Sequence, residues 1–139
     1  MDCRLDFHHI GIACRDIEKT SRFYIEQGYA PAPIVNDPLL HVRVCFLEMK
    51  GQPRLELLEP LDEQSPVNRT LESSGVTPYH MCYEVQSIES AIASLRASHR
   101  FLLVKGPLPA CAMGNRRVAF MFQKNTGLIE LVESSADRT

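Results

Sequence analysis

The sequence lacks an excess of charge of either sign: 15 Lys and Arg face 17 Asp and Glu, for a formal net charge of -2. That balance gives no electrostatic reason to expect a nucleic acid or a membrane surface as partner. No apolar run approaches the length that spans a bilayer. The first residues, Met1 to Asp6, hold no apolar segment of the kind a signal peptide needs. No C-x-x-C pair occurs, and the five cysteines are odd in number. Cys14, Cys45 and Cys82 lie inside apolar, strand-like runs. A disulfide framework or a cysteine-based zinc knot is therefore not expected. These absences lead to the expectation of a soluble cytoplasmic chain whose cysteines act as small buried hydrophobes.

What is present is a duplication. The chain has 139 residues, 45% of them apolar, which suits one domain with a core of ordinary size. The run His9-Ile10-Gly11-Ile12-Ala13-Cys14-Arg15-Asp16-Ile17-Glu18 is echoed 71 residues later by His80-Met81-Cys82-Tyr83-Glu84-Val85-Gln86-Ser87-Ile88-Glu89. Each begins with histidine, continues as a strand and reaches a polar helix start followed by Ile-Glu. A second pair of echoes stands 74 residues apart. Leu55-Glu56-Leu57-Leu58-Glu59 matches Ile129-Glu130-Leu131-Val132-Glu133, and Val44-Cys45-Phe46-Leu47 matches Val118-Ala119-Phe120-Met121. A three-residue insertion in the second half explains the change of offset. Repetition at fixed spacing implies repeated supersecondary units.

Each half reads as strand, helix and three strands. In the first, a strand over 7–13 precedes a helix capped by Asp16 and closed by Gly28, with Ile17, Phe23, Tyr24 and Ile25 as its apolar contacts. Strands are expected over 30–35, 42–49 and 54–58. Pro31, Pro33 and Pro38 make the first of these irregular or an edge. In the second half a strand over 80–85 precedes a helix over 87–98 with the stripe Ile88, Ala91, Ile92 and Leu95. Strands follow over 102–105, 117–123 and 128–133. The fold class is α+β, two tandem βαβββ modules forming a concave metal site. Module 1 spans about 5–61 and module 2 about 78–134. The linker of about 62–77 carries a short helix over 67–73.

Singly, a strand histidine or glutamate most often has a structural explanation. The repeat changes that reading. His9 and His80 occupy the same place in the first strand of each half, and Glu56 and Glu130 the same place in the last. Two neutral imidazoles and two carboxylates suit a divalent cation such as Zn, Co, Ni, Mn or Fe. Glu59 and Glu133, at the ends of the same strands, are expected to be solvent-facing partners in the alternation.

These residues resemble the vicinal oxygen chelate superfamily, the glyoxalase/bleomycin-resistance/dioxygenase-type fold, over nearly the whole chain. His8-His9-Ile10-Gly11-Ile12-Ala13 looks like the opening of the methylmalonyl-CoA epimerases. So do 42–48, 55–61, Ser65-Pro66-Val67 and the strand from His80. Gly127-Leu128-Ile129-Glu130-Leu131 is similar to their closing strand. The resemblance implies a metal held by His9, Glu56, His80 and Glu130, and a homodimer. It implies an epimerase or isomerase that removes a proton next to a carbonyl through an enolate, with Glu130 as base and Glu56 as its partner. The substrate class implied is a small molecule, an acyl-CoA or other acyl thioester. Arg43, Lys105, Arg116, Arg117 and Lys124 are available cations for phosphates, although each also reads as an ordinary solvated charge.

Three segments depart from the epimerase pattern. Tyr79 stands where a second His-His pair usually begins, the loop 109–115 is Pro-Ala-Cys-Ala-Met-Gly-Asn, and 122–127 lacks the usual His-Pro and one Gly. Other readings are a glyoxalase I-type lactoylglutathione lyase, or a related lyase on another acyl or sugar-derived substrate. An extradiol dioxygenase is disfavoured because Glu56 would fill a position that such enzymes leave without a ligand. Outside enzymes, the alternatives are a non-catalytic drug-binding resistance protein and a structural module whose repeats are packing echoes.

Overall fold

Both repeats fold as strand, helix and strands, because each sequence changes hydrophobic period at the same places. The computed structural model describes residues 3–135. The described chain divides into two compact units, residues 9–79 and residues 3–8 with 80–135.

In the first unit, β1 (Asp6–Ala13) leads through the Asp16 cap into α1 (Ile17–Gln27). The Asp16 side chain accepts from the Lys19 N–H at 3.0 Å, and Gly28 closes the helix at φ +116°. β2 (Ala30–Pro31) and β3 (Val35–Asp37) both pair antiparallel with β4 (Val42–Glu48). β4 pairs antiparallel with β5 (Leu55–Pro60), and β5 runs parallel to β1. The strand expected over 30–35 is thus two short pieces, consistent with prolines that cannot donate to a ladder. α1 covers a core of Ile12, Cys14, Ile17, Cys45, Leu47, Leu55 and Leu57, with Ile10, Tyr24 and Tyr29 against it. Phe23 and Ile25 do not join this core, contrary to expectation, and are 59% and 43% exposed. The inward stripe at helical spacing is Ile17, Ser21 and Tyr24, which turns Phe23 and Ile25 outward. α2 (Val67–Ser74) belongs to this unit, so the expected linker is part of a module.

In the second unit, β6 (Thr77–Val85) leads into α3 (Ile88–His99), whose cap Ser87 accepts from the Ser90 N–H. β7 (Leu102–Ala110), a 3-10 turn at Cys111–Met113, β8 (Arg116–Gln123) and β9 (Gly127–Glu133) follow. The pairing order is β6, β9, β8, β7, with β6 and β9 parallel. The stripe Ile88, Ala91, Ile92 and Leu95 packs as expected on Val85, Phe101, Ala119, Met121, Ile129 and Leu131. Cys3 and Leu5 also pack on this core, so the first residues of module 1 lie with the second unit.

Cys14, Cys45 and Cys82 are buried and form no disulfide, as expected. Burial pushes the Cys14 thiol up to about 11, which suits an inert hydrophobe. No helix among the described residues is long and apolar enough to cross a membrane.

β7 is longer than its sequence suggests. The strand expected over 102–105 continues to Ala110 through two register shifts. Gly106 makes this continuation possible. It sits at φ +96°, and a Cβ there would meet the Val118 carbonyl oxygen at 2.5 Å. Gly106→Ala is expected to destabilise the protein by about 1–3 kcal/mol through a left-handed residue and a backbone clash. Urea denaturation would measure this, and an unchanged midpoint would show that the strand relaxes freely.

Candidate metal centre

Alternation along β5 and β9 aims the two central glutamates away from the helices. Leu55 and Leu57 belong to the core under α1, so Glu56 between them faces the other side of the sheet. Ile129 and Leu131 belong to the core under α3, and Glu130 between them does the same. Neither glutamate gains solvent by this: Glu56 is 4% exposed and Glu130 2%. Each meets the histidine of its own half. His9 Nε2 lies 3.0 Å from Glu56 Oε1, and His80 Nε2 lies 2.9 Å from Glu130 Oε1. His9 is fully buried and His80 is 5% exposed. All four residues singled out by the repeat therefore form like pairs, one in each unit.

The donor set fits a divalent cation. The two side chains of each pair are close enough to reach one ion at bond lengths of about 2.1 Å, their donor atoms standing 3.0 and 2.9 Å apart. The same separation also suits a hydrogen bond. Each half offers one buried imidazole nitrogen beside one buried carboxylate oxygen, donors suited to a divalent cation such as Zn, Co, Ni, Mn or Fe.

Glu59 and Glu133 correct the sequence expectation. They are not solvent-facing partners. Glu59 Oε1 accepts the first helical N–H of α1, from Ile17, at 2.9 Å, and Glu133 Oε2 accepts that of α3, from Ile88, at 3.0 Å. Each also binds an arginine. Arg43 donates to Glu59 at 2.9 Å and lies 3.6 Å from Glu18. Arg117 donates to Glu133 at 2.9 and 3.1 Å and to Glu89 at 2.8 Å. These residues repeat at the offsets already noted, 71 for Glu18 and Glu89 and 74 for Arg43 with Arg117 and for Glu59 with Glu133. The signal was in the repeat, but alternation gives no hint that a helix end lies within reach.

The cations considered for phosphate binding sort accordingly. Arg43 and Arg117 are held by carboxylates, and Arg116 donates to the Glu133 carbonyl at 2.8 Å and to the Glu84 carboxylate. Lys105 and Lys124 have exposed side chains. In the altered segment after β8, the Gln123 amide donates to the His99 carbonyl at 3.0 Å and accepts from the Asn125 N–H. That side chain shapes a turn.

Several known proteins are similar to this chain. An ethylmalonyl-CoA/methylmalonyl-CoA epimerase of Cereibacter sphaeroides is 32% identical over 130 residues, covering 89% of this chain and 94% of that one. The mitochondrial methylmalonyl-CoA epimerase of Mus musculus is 33% identical over 91 residues. That match takes in 64% of this chain and 51% of the mouse protein, so the chain spans about half the length of this relative. Among solved structures, a Streptomyces coelicolor methylmalonyl-CoA epimerase in complex with 2-nitronate-propionyl-CoA superposes with a TM-score of 0.81 at 27% identity, over 96% of this chain and 100% of that one. Residues 8–136 match the family described as the Glyoxalase/Bleomycin resistance protein/Dioxygenase superfamily, and the chain belongs to that superfamily.

Proposed function

We propose that this chain is a metal-dependent epimerase of a 2-substituted malonyl thioester, of the methylmalonyl-CoA type. The observation that carries the reading is the repeated buried pair, His9 with Glu56 and His80 with Glu130. The names of the relatives point to the same substrate class. In this reading the four side chains hold one ion together, two from each half. A bound divalent ion supplies Lewis acidity that lowers the cost of negative charge on the substrate's carbonyl oxygens.

The remaining work falls to the chain. Glu130 removes the proton from the carbon between the two carbonyl groups. Epimerisation needs delivery of a proton to the opposite face of the planar enolate, and Glu56, the symmetric carboxylate, serves that face. Burial excludes water from both carboxylates, which strengthens their interactions with developing charge. An acyl-CoA is the favoured ligand, bound without the arginines that are already committed to carboxylates.

The test is solvent deuterium incorporation at C2 of methylmalonyl-CoA, with protein stripped of metal and then reloaded with Co²⁺, Ni²⁺, Zn²⁺ or Mn²⁺. Exchange that depends on the metal is expected. Stoichiometric metal uptake with no exchange would reject the substrate and direct attention to hemithioacetals, the glyoxalase-type alternative. Failure to take up any metal would reject the site itself.

A further inference from the structure

Each buried His–Glu pair has a phenylalanine in the same relation to it. Phe46 on β4 is the cross-strand partner of Glu56, and Phe120 on β8 is the cross-strand partner of Glu130. Each ring also packs edge-to-face on the histidine. Phe46 lies 5.2 Å from His9 at 85°, and Phe120 lies 5.6 Å from His80 at 82°. Both phenylalanines are half-buried. Core filling alone does not require this identity. The flanking positions change between the halves, Cys45 to Ala119 and Leu47 to Met121, while the phenylalanine is the same in both.

The geometry gives the ring a task. An imidazole turns about two side-chain bonds, and the second has a broad energy well. A contact at Nε2 sets that atom's distance from the carboxylate, whereas a ring packed on the imidazole limits the tilt of its plane. A second ring packed at nearly a right angle blocks that tilt and makes a favourable quadrupolar contact. Phenylalanine offers no hydrogen bond, so it cannot draw the imidazole or the carboxylate away from the other.

We infer that Phe46 and Phe120 are positioning residues, which hold the His9 and His80 imidazoles with Nε2 aimed at Glu56 and Glu130. By fixing those donors they set the affinity for a divalent ion. The affinity part rests on the metal-binding reading above, whereas the ring orientation does not.

The experiment uses the full chain with Phe46→Leu, Phe120→Leu and the double variant. Phe46→Met and Phe120→Met, whose flexible side chains adapt to irregular space without an aromatic ring, stand in if a leucine variant fails to fold. Phe101→Leu, a core change outside both pairs, is the control. Two quantities are read. In metal-free protein, ¹⁵N imidazole NMR is expected to show one narrow set of signals each for His9 and His80. The signal of the affected histidine should broaden or split in the matching variant and stay unchanged in the control. In a Co²⁺ titration followed by visible absorption, each single variant is expected to bind about tenfold more weakly and the double variant more weakly still, on the scale of lost outer-shell support. Unchanged imidazole signals would overturn the inference, as would wild-type Co²⁺ affinity and spectrum in variants that have merely lost thermal stability. If the wild type takes up no Co²⁺, the metal reading fails separately, and the imidazole spectra still decide the role of the two rings.

Discussion

Glu130→Gln is expected to lower metal-dependent deuterium exchange by about a thousandfold, the scale on which a positioned general base contributes. The substitution preserves the size and hydrogen-bonding shape of a side chain that is 2% exposed, so folding should survive it. It removes the negative charge and with it the capacity to accept the proton. A carboxamide oxygen is also a weaker donor to a divalent ion, so metal content must be measured beside exchange. Loss of exchange at full metal occupancy identifies the base. Loss of both identifies a ligand only. Glu56→Gln is the matched experiment, because Glu56 meets His9 as Glu130 meets His80, at 3.0 and 2.9 Å. If Glu130→Gln kept full metal and full exchange, its assignment as base would be wrong. If only Glu56→Gln lost exchange at full metal, the two roles would be reversed.

Removal of the Glu133 carboxylate should give the largest loss of stability, about 3 kcal/mol for Glu133→Ala. Its side chain is only 14% exposed and engages both Arg117 and the Ile88 N–H. The alanine variant leaves a helix-start N–H without this acceptor and Arg117 with Glu89 alone. Arg117 is 40% exposed, and water recovers part of its loss. In the other half, Glu59→Ala is expected to cost less, because the Arg43 cluster is looser, with Glu18 at 3.6 Å. Urea denaturation of both variants measures the difference, and equal, sub-kilocalorie effects would refute it. pH supplies a second check. Arg117 holds the Glu89 carboxyl below its ordinary value. A carboxylate with a depressed folded-state pKa stabilises fully above the ordinary carboxylate range and loses that contribution as pH falls through the depressed value. The Glu89 contribution is therefore present at neutral pH and disappears in acid.

Much of this was written in the sequence, for one reason. A duplicated chain states each structural requirement twice, so His9, Glu56, His80 and Glu130 stood out as positions that packing alone had no need to repeat. The same doubling marked Glu59 and Glu133, yet their role was hidden. Period-2 alternation assigns a side chain to a face, and whether that face meets water or the start of α1 or α3 is decided by tertiary placement. In α1 apolar character does not pick out the inward face: Phe23 and Ile25 are exposed, and the geometry of the helix buries Ser21 in the stripe between Ile17 and Tyr24. β7 runs past its expected end because the ladder with β8 overrides the local turn signals of Gly106 and the prolines after it. The assignment of residues 3–8 to the second unit was not readable, since the division near residue 8 runs within β1 and leaves no break in composition.

β7 also bears on how the protein behaves in crowded solution. It ends the strand order of its unit, with Leu102 and Val104 66% and 59% exposed, a combination that invites another chain to add a strand. Pro107 and Pro109 offer no N–H to such a partner, and the register shifts around Lys105 interrupt the straight run that a partner would follow. The irregularity that made this strand hard to read thus serves as a guard against aggregation.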